Sequence, residues 1–136
     1  MVIGKLGRRL RPTPAVISAG LTPTRAAVLL HVVREGRLRV SQLAAAEGLN
    51  PTMLSRVTAE LAAAGYVERF SDAEDRRAAW LKSTAAGRRL AERIRRERSE
   101  ALAVALEGLT ADQRAALVAA LPALEVLAER LAEGRS

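Results

Sequence analysis

A mainly α-helical fold carrying one small β-hairpin is predicted by three observations. The chain of 136 residues is 49% hydrophobic but only 2% aromatic, so its core is assembled from Ala, Leu and Val, which pack helices closely and argue against a β-sandwich. A capping residue followed by proline occurs at Thr22-Pro23 and Asn50-Pro51, and Gly36, Gly48 and Gly65 follow apolar-periodic segments; these are helix start and stop signals. Strand-like residues are concentrated in two runs, Tyr66 to Phe70 and Ala79 to Lys82, on either side of a polar loop. The length suits one domain with helical arms better than two large independent cores.

Each element follows in order. Residues 3–11 read as a short basic helix ended by Pro12 and Pro14, with 12–21 as a connector. Thr22-Pro23 opens a helix whose expected buried stripe is Ala26, Ala27, Leu29, Leu30 and Val33, stopping at Gly36. Arg37-Leu38-Arg39 is a short extended segment. Ser41 is the expected cap of the next helix, which buries Leu43 and Ala44 and stops at Gly48. Beyond the tight turn Gly48-Leu49-Asn50, a second short helix places Leu54, Val57 and Leu61 on one face and ends at Gly65. The hairpin follows, with the charged tip Ser71 to Arg77. Thr84 caps a long helix reaching about Gly108, roughly 37 Å at 1.5 Å per residue, with apolar positions Leu90, Ile94, Leu102, Ala105, Leu106 and Leu109. After the cap Thr110, a last helix carries Leu117, Leu121, Leu124, Leu127 and Leu131 in a narrow seam of the kind that packs helix against helix, with Pro122 expected to kink it.

Composition narrows the function. There is no cysteine and a single histidine, His31, in the apolar run Leu29 to Val33; disulfides, thiolate chemistry and a zinc site are not expected, and His31 reads as a packed or helix-surface residue. No nucleophile–base cluster and no Gly-rich phosphate loop is present, so the reading is no enzyme, no metal and no cofactor. No apolar stretch is long enough for a membrane span and no secretory signal is evident, which makes the cytoplasm the expected compartment. The net charge is +7 and points to a polyanionic partner. It is unevenly spread: residues 1–21 hold four Lys+Arg and no acid, whereas 99–136 hold three Arg against six acids.

Helix, short strand, helix, tight turn, helix and hairpin is the order of a winged helix-turn-helix. In that arrangement the second helix of the pair enters the major groove of duplex DNA, N-terminal residues foremost. The candidates are Asn50, Pro51, Thr52, Met53, Ser55 and Arg56: Arg56 suits bidentate guanine readout, and Thr52 and Ser55 suit bases or phosphates. In the tip Asp72-Ala73-Glu74-Asp75-Arg76-Arg77, Asp75 pairs with Arg69 or with a nearby backbone amide, leaving Arg76 and Arg77 for the narrow minor groove. Tyr66, Phe70 and Trp80, in or beside the hairpin strands, read as packing residues.

On Asp75-Arg76-Arg77 followed by Thr84-Ala85-Ala86-Gly87-Arg88, and on Leu43-Ala44, Pro51 to Arg56 and Leu61 to Arg69, the chain resembles the multiple antibiotic resistance regulator (MarR) family. The likeness runs from Leu21-Thr22-Pro23 to the leucine seam, with Ser83 where the family usually has Leu. It implies a cytoplasmic homodimeric regulator of transcription, a repressor relieved by a small organic effector. Residues 22–83 form the winged DNA-binding domain; 1–21 and 84–136 form a helical dimerisation region that includes the five leucines of the seam. Each winged domain reads one half of an approximately palindromic duplex site. By the same resemblance Arg77 is the wing arginine, Asp75 its structural partner, and Thr52, Ser55 and Arg56 occupy recognition positions; no ligand-binding residue is assigned. The alternative, a winged-helix protein for protein interaction or sequence-independent DNA organisation, rests on the arginines of 88–98 and the thin set of base-reading side chains.

Overall fold

The computed structural model describes residues 2–10, 13–71 and 79–133. Their elements in chain order are α1 (Val2–Leu10), α2 (Pro14–Ser18), α3 (Pro23–Glu35), β1 (Arg37–Arg39), α4 (Val40–Glu47), α5 (Pro51–Ala63), β2 (Val67–Ser71), β3 (Ala79–Ser83), α6 (Ala85–Glu107) and α7 (Ala111–Glu133). This is a mainly helical winged helix-turn-helix with a small antiparallel sheet.

The helix starts are where the capping residues put them. Thr22 Oγ1 accepts from the Arg25 amide at 3.3 Å, Asn50 Oδ1 from Met53 at 2.8 Å and Thr84 Oγ1 from Gly87 at 3.0 Å, each satisfying an amide that the first helical turn leaves without a partner. Thr110 and Gln113 cap α7 reciprocally, at 3.2 and 3.0 Å. Ser41 is not a cap. The change from extended to helical backbone falls at Arg39, because β1 pairs with β3 through Arg39 opposite Trp80 and hands directly to α4. Gln42 then accepts the Arg39 amide proton at 3.1 Å, and Ser41 lies inside the first turn.

The expected connector contains a helix. Thr13 caps α2 through the Val16 amide at 3.3 Å, and Glu97 of α6 accepts the Ala15 amide at 2.8 Å. Ala15 and Val16 are buried in the common core, which explains why so short a helix holds. The buried face of α3 is also rotated from expectation. Ala26, Val28, Leu29 and Val32 are buried, whereas Leu30 and Val33 are half-buried, because α3 packs against α5, α6 and β3 together. Pro122 sits within a single continuous α7.

The hairpin is extended by a third strand, in the order β1-β3-β2, all antiparallel. Leu38, opposite Leu81, and Val67, opposite Ser83, face the core, which puts Arg37, Arg39, Trp80, Lys82, Phe70 and Glu68 on the outer face. There the Arg37 guanidinium lies 4.3 Å from the Trp80 ring and 5.1 Å from Phe70, Arg39 lies 5.2 Å from Trp80, and Lys82 pairs with Glu68 at 2.8 Å. Cation–π contacts of this kind, about 0.5–1 kcal/mol each at exposed sites, stabilise a strand only three residues long.

One core joins the elements: Leu29, Leu43, Leu54, Leu61, Leu81 and Ile94 are fully buried and come from five different elements, α6 included. α6 is tied down at its start. The Thr84 amide donates to Tyr66 O at 3.1 Å and its hydroxyl to Gly65 O at 2.6 Å. Its C-terminal half and α7 lie outside the core: every described α7 side chain except Ala120 is exposed.

Candidate nucleic-acid interface

The turn between α4 and α5 follows from Gly48. At φ 63° it takes the left-handed conformation that favours glycine, and the Leu49 amide donates back to Ala44 O at 3.1 Å. α5 then seats Leu54, Val57, Thr58 and Leu61 inward. Thr58 is the member of this face that apolar spacing misses; buried, it satisfies its hydroxyl by donating to Ser55 O at 3.1 Å. With that face down, Asn50, Pro51, Thr52, Ser55 and Arg56 are all exposed on the opposite side. The structure therefore brings these five onto one surface at the N-terminal end of α5.

Two residues not foreseen as site members adjoin them. Arg25, in the first turn of α3, reaches Glu60 of α5 at 2.5 Å, and Glu60 also holds Arg56 at 3.3 Å. The three border a cleft of about 530 Å³ that also takes in Thr22, Asn50 and Thr52. The signal available in the sequence was the i,i+4 spacing of Arg56 and Glu60; the arrival of Arg25 depends on how α3 crosses α5.

His31 joins α3 to α4, its Nδ1 lying 2.8 Å from Glu47 Oε1. It is thus a packed helix-surface residue, and among the described residues no group of His, Cys, Asp and Glu has the arrangement of a metal site.

Of the wing residues, Asp75, Arg76 and Arg77 lie outside the described residues. Arg69 is exposed on β2 opposite Leu81. Ser83 is buried, and its carbonyl accepts from Arg88 at 3.0 Å.

On α7, Leu117, Leu121, Leu124, Leu127 and Leu131 remain between 44% and 62% exposed. A second hollow, of about 350 Å³, lies where α2 and Tyr66 meet α6, lined by Ser18, Tyr66, Arg89, Leu90 and Arg93 among others. No helix among the described residues is long and apolar enough to cross a membrane.

Residues 21–79 match the model of the MarR family. No curated protein matches the chain by sequence. Among solved structures, the chain is similar to MarR, at 23% identity over 95% of this chain and 96% of that one with a TM-score of 0.80. It is also similar to wild-type apo MarR from E. coli, at 24% identity over 91% and 90% with a TM-score of 0.79. The third likeness is to NadR in complex with 4-hydroxyphenylacetate, at 26% identity over 90% and 86% with a TM-score of 0.68. The sequence pattern of the MarR family is thus matched across residues 21–79, which hold the helix-turn-helix, and nearly the whole chain is similar in fold to MarR.

Proposed function

We propose that the chain regulates transcription as a homodimer that binds an approximately palindromic duplex site, each protomer placing α5 in the major groove and its wing against the neighbouring minor groove. The observation that carries the reading is the α5 surface. Five polar or helix-starting residues, Asn50, Pro51, Thr52, Ser55 and Arg56, are exposed on a helix whose other face is locked into the core, the geometry a major-groove reader needs. The net charge of +7 supports a polyanionic partner. Residues 22–83 act as the DNA-binding unit, and the α7 leucines with the rest of 84–136 and with 1–21 as the dimerisation region.

Bound over a promoter, the dimer represses by occlusion, and a small organic ligand relieves it. The hollow between Tyr66 and α6 supports this second half, because it joins the winged unit to the helix leading to the dimer arm and combines Leu90 with Arg89 and Arg93, a lining suited to an apolar body bearing an acidic group. NadR, similar in fold, was solved with such a molecule, 4-hydroxyphenylacetate.

The test is binding of variants, over a salt series, to a duplex selected from a random pool and to random duplex. Arg56→Ala should cost roughly 1–3 kcal/mol on the selected duplex and little on random DNA. Arg77→Ala should weaken both and lower the salt slope by about one. Asp75→Ala should weaken binding although it removes an acid, because Asp75 orders the wing. Equal losses on both duplexes for the two arginine variants, with tighter binding by Asp75→Ala, would replace this reading by sequence-independent DNA organisation.

A further inference from the structure

An acid on a surface meant for DNA is an anomaly, and Glu60 is such an acid. It sits one helical turn beyond Arg56 on α5 and borders the cleft formed by the starts of α3 and α5. Its two carboxylate oxygens serve two different arginines: Oε1 lies 3.3 Å from Arg56 Nε, and Oε2 lies 2.5 Å from Arg25 Nη2. The side chains differ in exposure, at 25% for Arg25, 35% for Glu60 and 79% for Arg56.

We propose that Glu60 is a specificity-determining positioning residue of the recognition surface, orienting Arg56 toward base edges while withholding Arg25 from phosphate. The proposal rests on the DNA-binding reading above and adds to it the source of discrimination. Engaging Arg56 through Nε leaves both Nη groups to face outward, the pair a guanidinium uses for bidentate guanine contact. Arg25 is the opposite case. A cation in the first turn of a helix is disfavoured by the helix dipole, and the same turn is where a phosphate is favoured. Without Glu60, Arg25 would reach outward to any phosphate presented there.

The consequence is a competition. Random duplex seldom places a matching base edge opposite Arg56, so these arginines meet mainly phosphate, which must displace a carboxylate of similar strength. A preferred duplex offers base-edge acceptors to Arg56 without disturbing the Nε contact. Glu60 therefore lowers affinity for random DNA more than for the preferred site, and the ratio between them rises.

The experiment uses the full chain and the same selected and random duplexes over a salt series. Glu60→Gln keeps the shape of the side chain and removes its charge. Expected for random duplex are a gain of about 3- to 10-fold, in line with two partly exposed ion pairs released, and a salt slope steeper by about one phosphate contact. Affinity for the selected duplex should stay level or fall, so that the specificity ratio drops about tenfold. Adding Arg25→Ala to Glu60→Gln should abolish the extra slope, whereas Arg25→Ala alone should leave the slope on random DNA unchanged.

A purely structural tie between α3 and α5 predicts something else: equal losses on both duplexes, a lower melting temperature and no change in slope. That result, or an unchanged ratio and slope in Glu60→Gln, overturns the proposal while leaving the DNA-binding reading in place. A wild-type chain that binds neither duplex overturns the reading and the proposal with it.

Discussion

The chain carrying Leu124→Glu together with Leu127→Glu should sediment as a monomer and bind the selected duplex about 10²- to 10⁴-fold more weakly than wild type. α7 presents Leu117, Leu121, Leu124, Leu127 and Leu131 with Val118 and Val126, all at least 44% exposed, which is more contiguous apolar surface than a soluble monomer ordinarily leaves in water. Full burial of a leucine side chain contributes about 1.5–3 kcal/mol, so several per protomer suffice for a stable pair, and two glutamates in the seam face each other across a two-fold axis. The loss on DNA has a separate cause. A dimer's second winged unit binds at the effective concentration set by the first, and a monomer forfeits that gain.

Because α7 contributes no residue to the core, the winged unit itself should melt nearly as before. Analytical ultracentrifugation at micromolar concentration decides the first half, and titration of the selected duplex the second. A persistent dimer, or a monomer with undiminished affinity, would contradict the assignment of α7.

The second large effect is on stability. Gly87→Ala should lower it by about 3 kcal/mol or more, near or beyond the upper end for overpacked sites, and drop the melting temperature by roughly 10 °C. A β-carbon at Gly87 would fall 2.0 Å from the backbone oxygen of Tyr66 and 3.3 Å from a methyl of Leu29. Neither neighbour yields cheaply, since Tyr66 O also accepts the Thr84 amide at 3.1 Å and Leu29 is fully buried. Relief requires the start of α6 to lift from β2, breaking the Thr84 hydroxyl bond to Gly65 O at 2.6 Å. Thr84→Ala is the graded control: it keeps the packing, loses the cap and should cost about 0.5–2 kcal/mol. Thermal unfolding by far-UV circular dichroism compares the three proteins, and a Gly87→Ala protein that melts within two or three degrees of wild type (about that) would show that the contact is not a packing constraint.

Much of this protein was legible in local chemistry. Thr22, Asn50, Thr84 and Thr110 cap the helices they precede, and Gly48 makes the turn of the helix-turn-helix, because capping and a positive φ depend on residues only a few positions apart. The outward face of α5 was readable too, since fixing Leu54, Val57 and Leu61 inward leaves Thr52, Ser55 and Arg56 nowhere else to point. The family likeness lay in the same contiguous segments.

Contacts between segments distant in the chain were another matter. Only the fold brings Glu97 to the amide of Ala15, 82 positions away, and so makes a helix of what reads as a connector. Only the pairing of β1 with β3 moves the start of α4 ahead of Ser41 and stacks Arg37 on Trp80. Periodicity gives a helix one buried face, but α3 is enclosed by several elements, so Val28 and Val32 are buried beyond the stripe it predicts. The ion pairs of Glu60 divide in the same way. Its contact with Arg56 is written in an i,i+4 spacing, whereas its contact with Arg25 exists because α3 crosses α5 where it does. Caps, turns and helix faces are set by neighbours along the chain; which helices meet, and which charges they bring together, is set by the packing of one shared core.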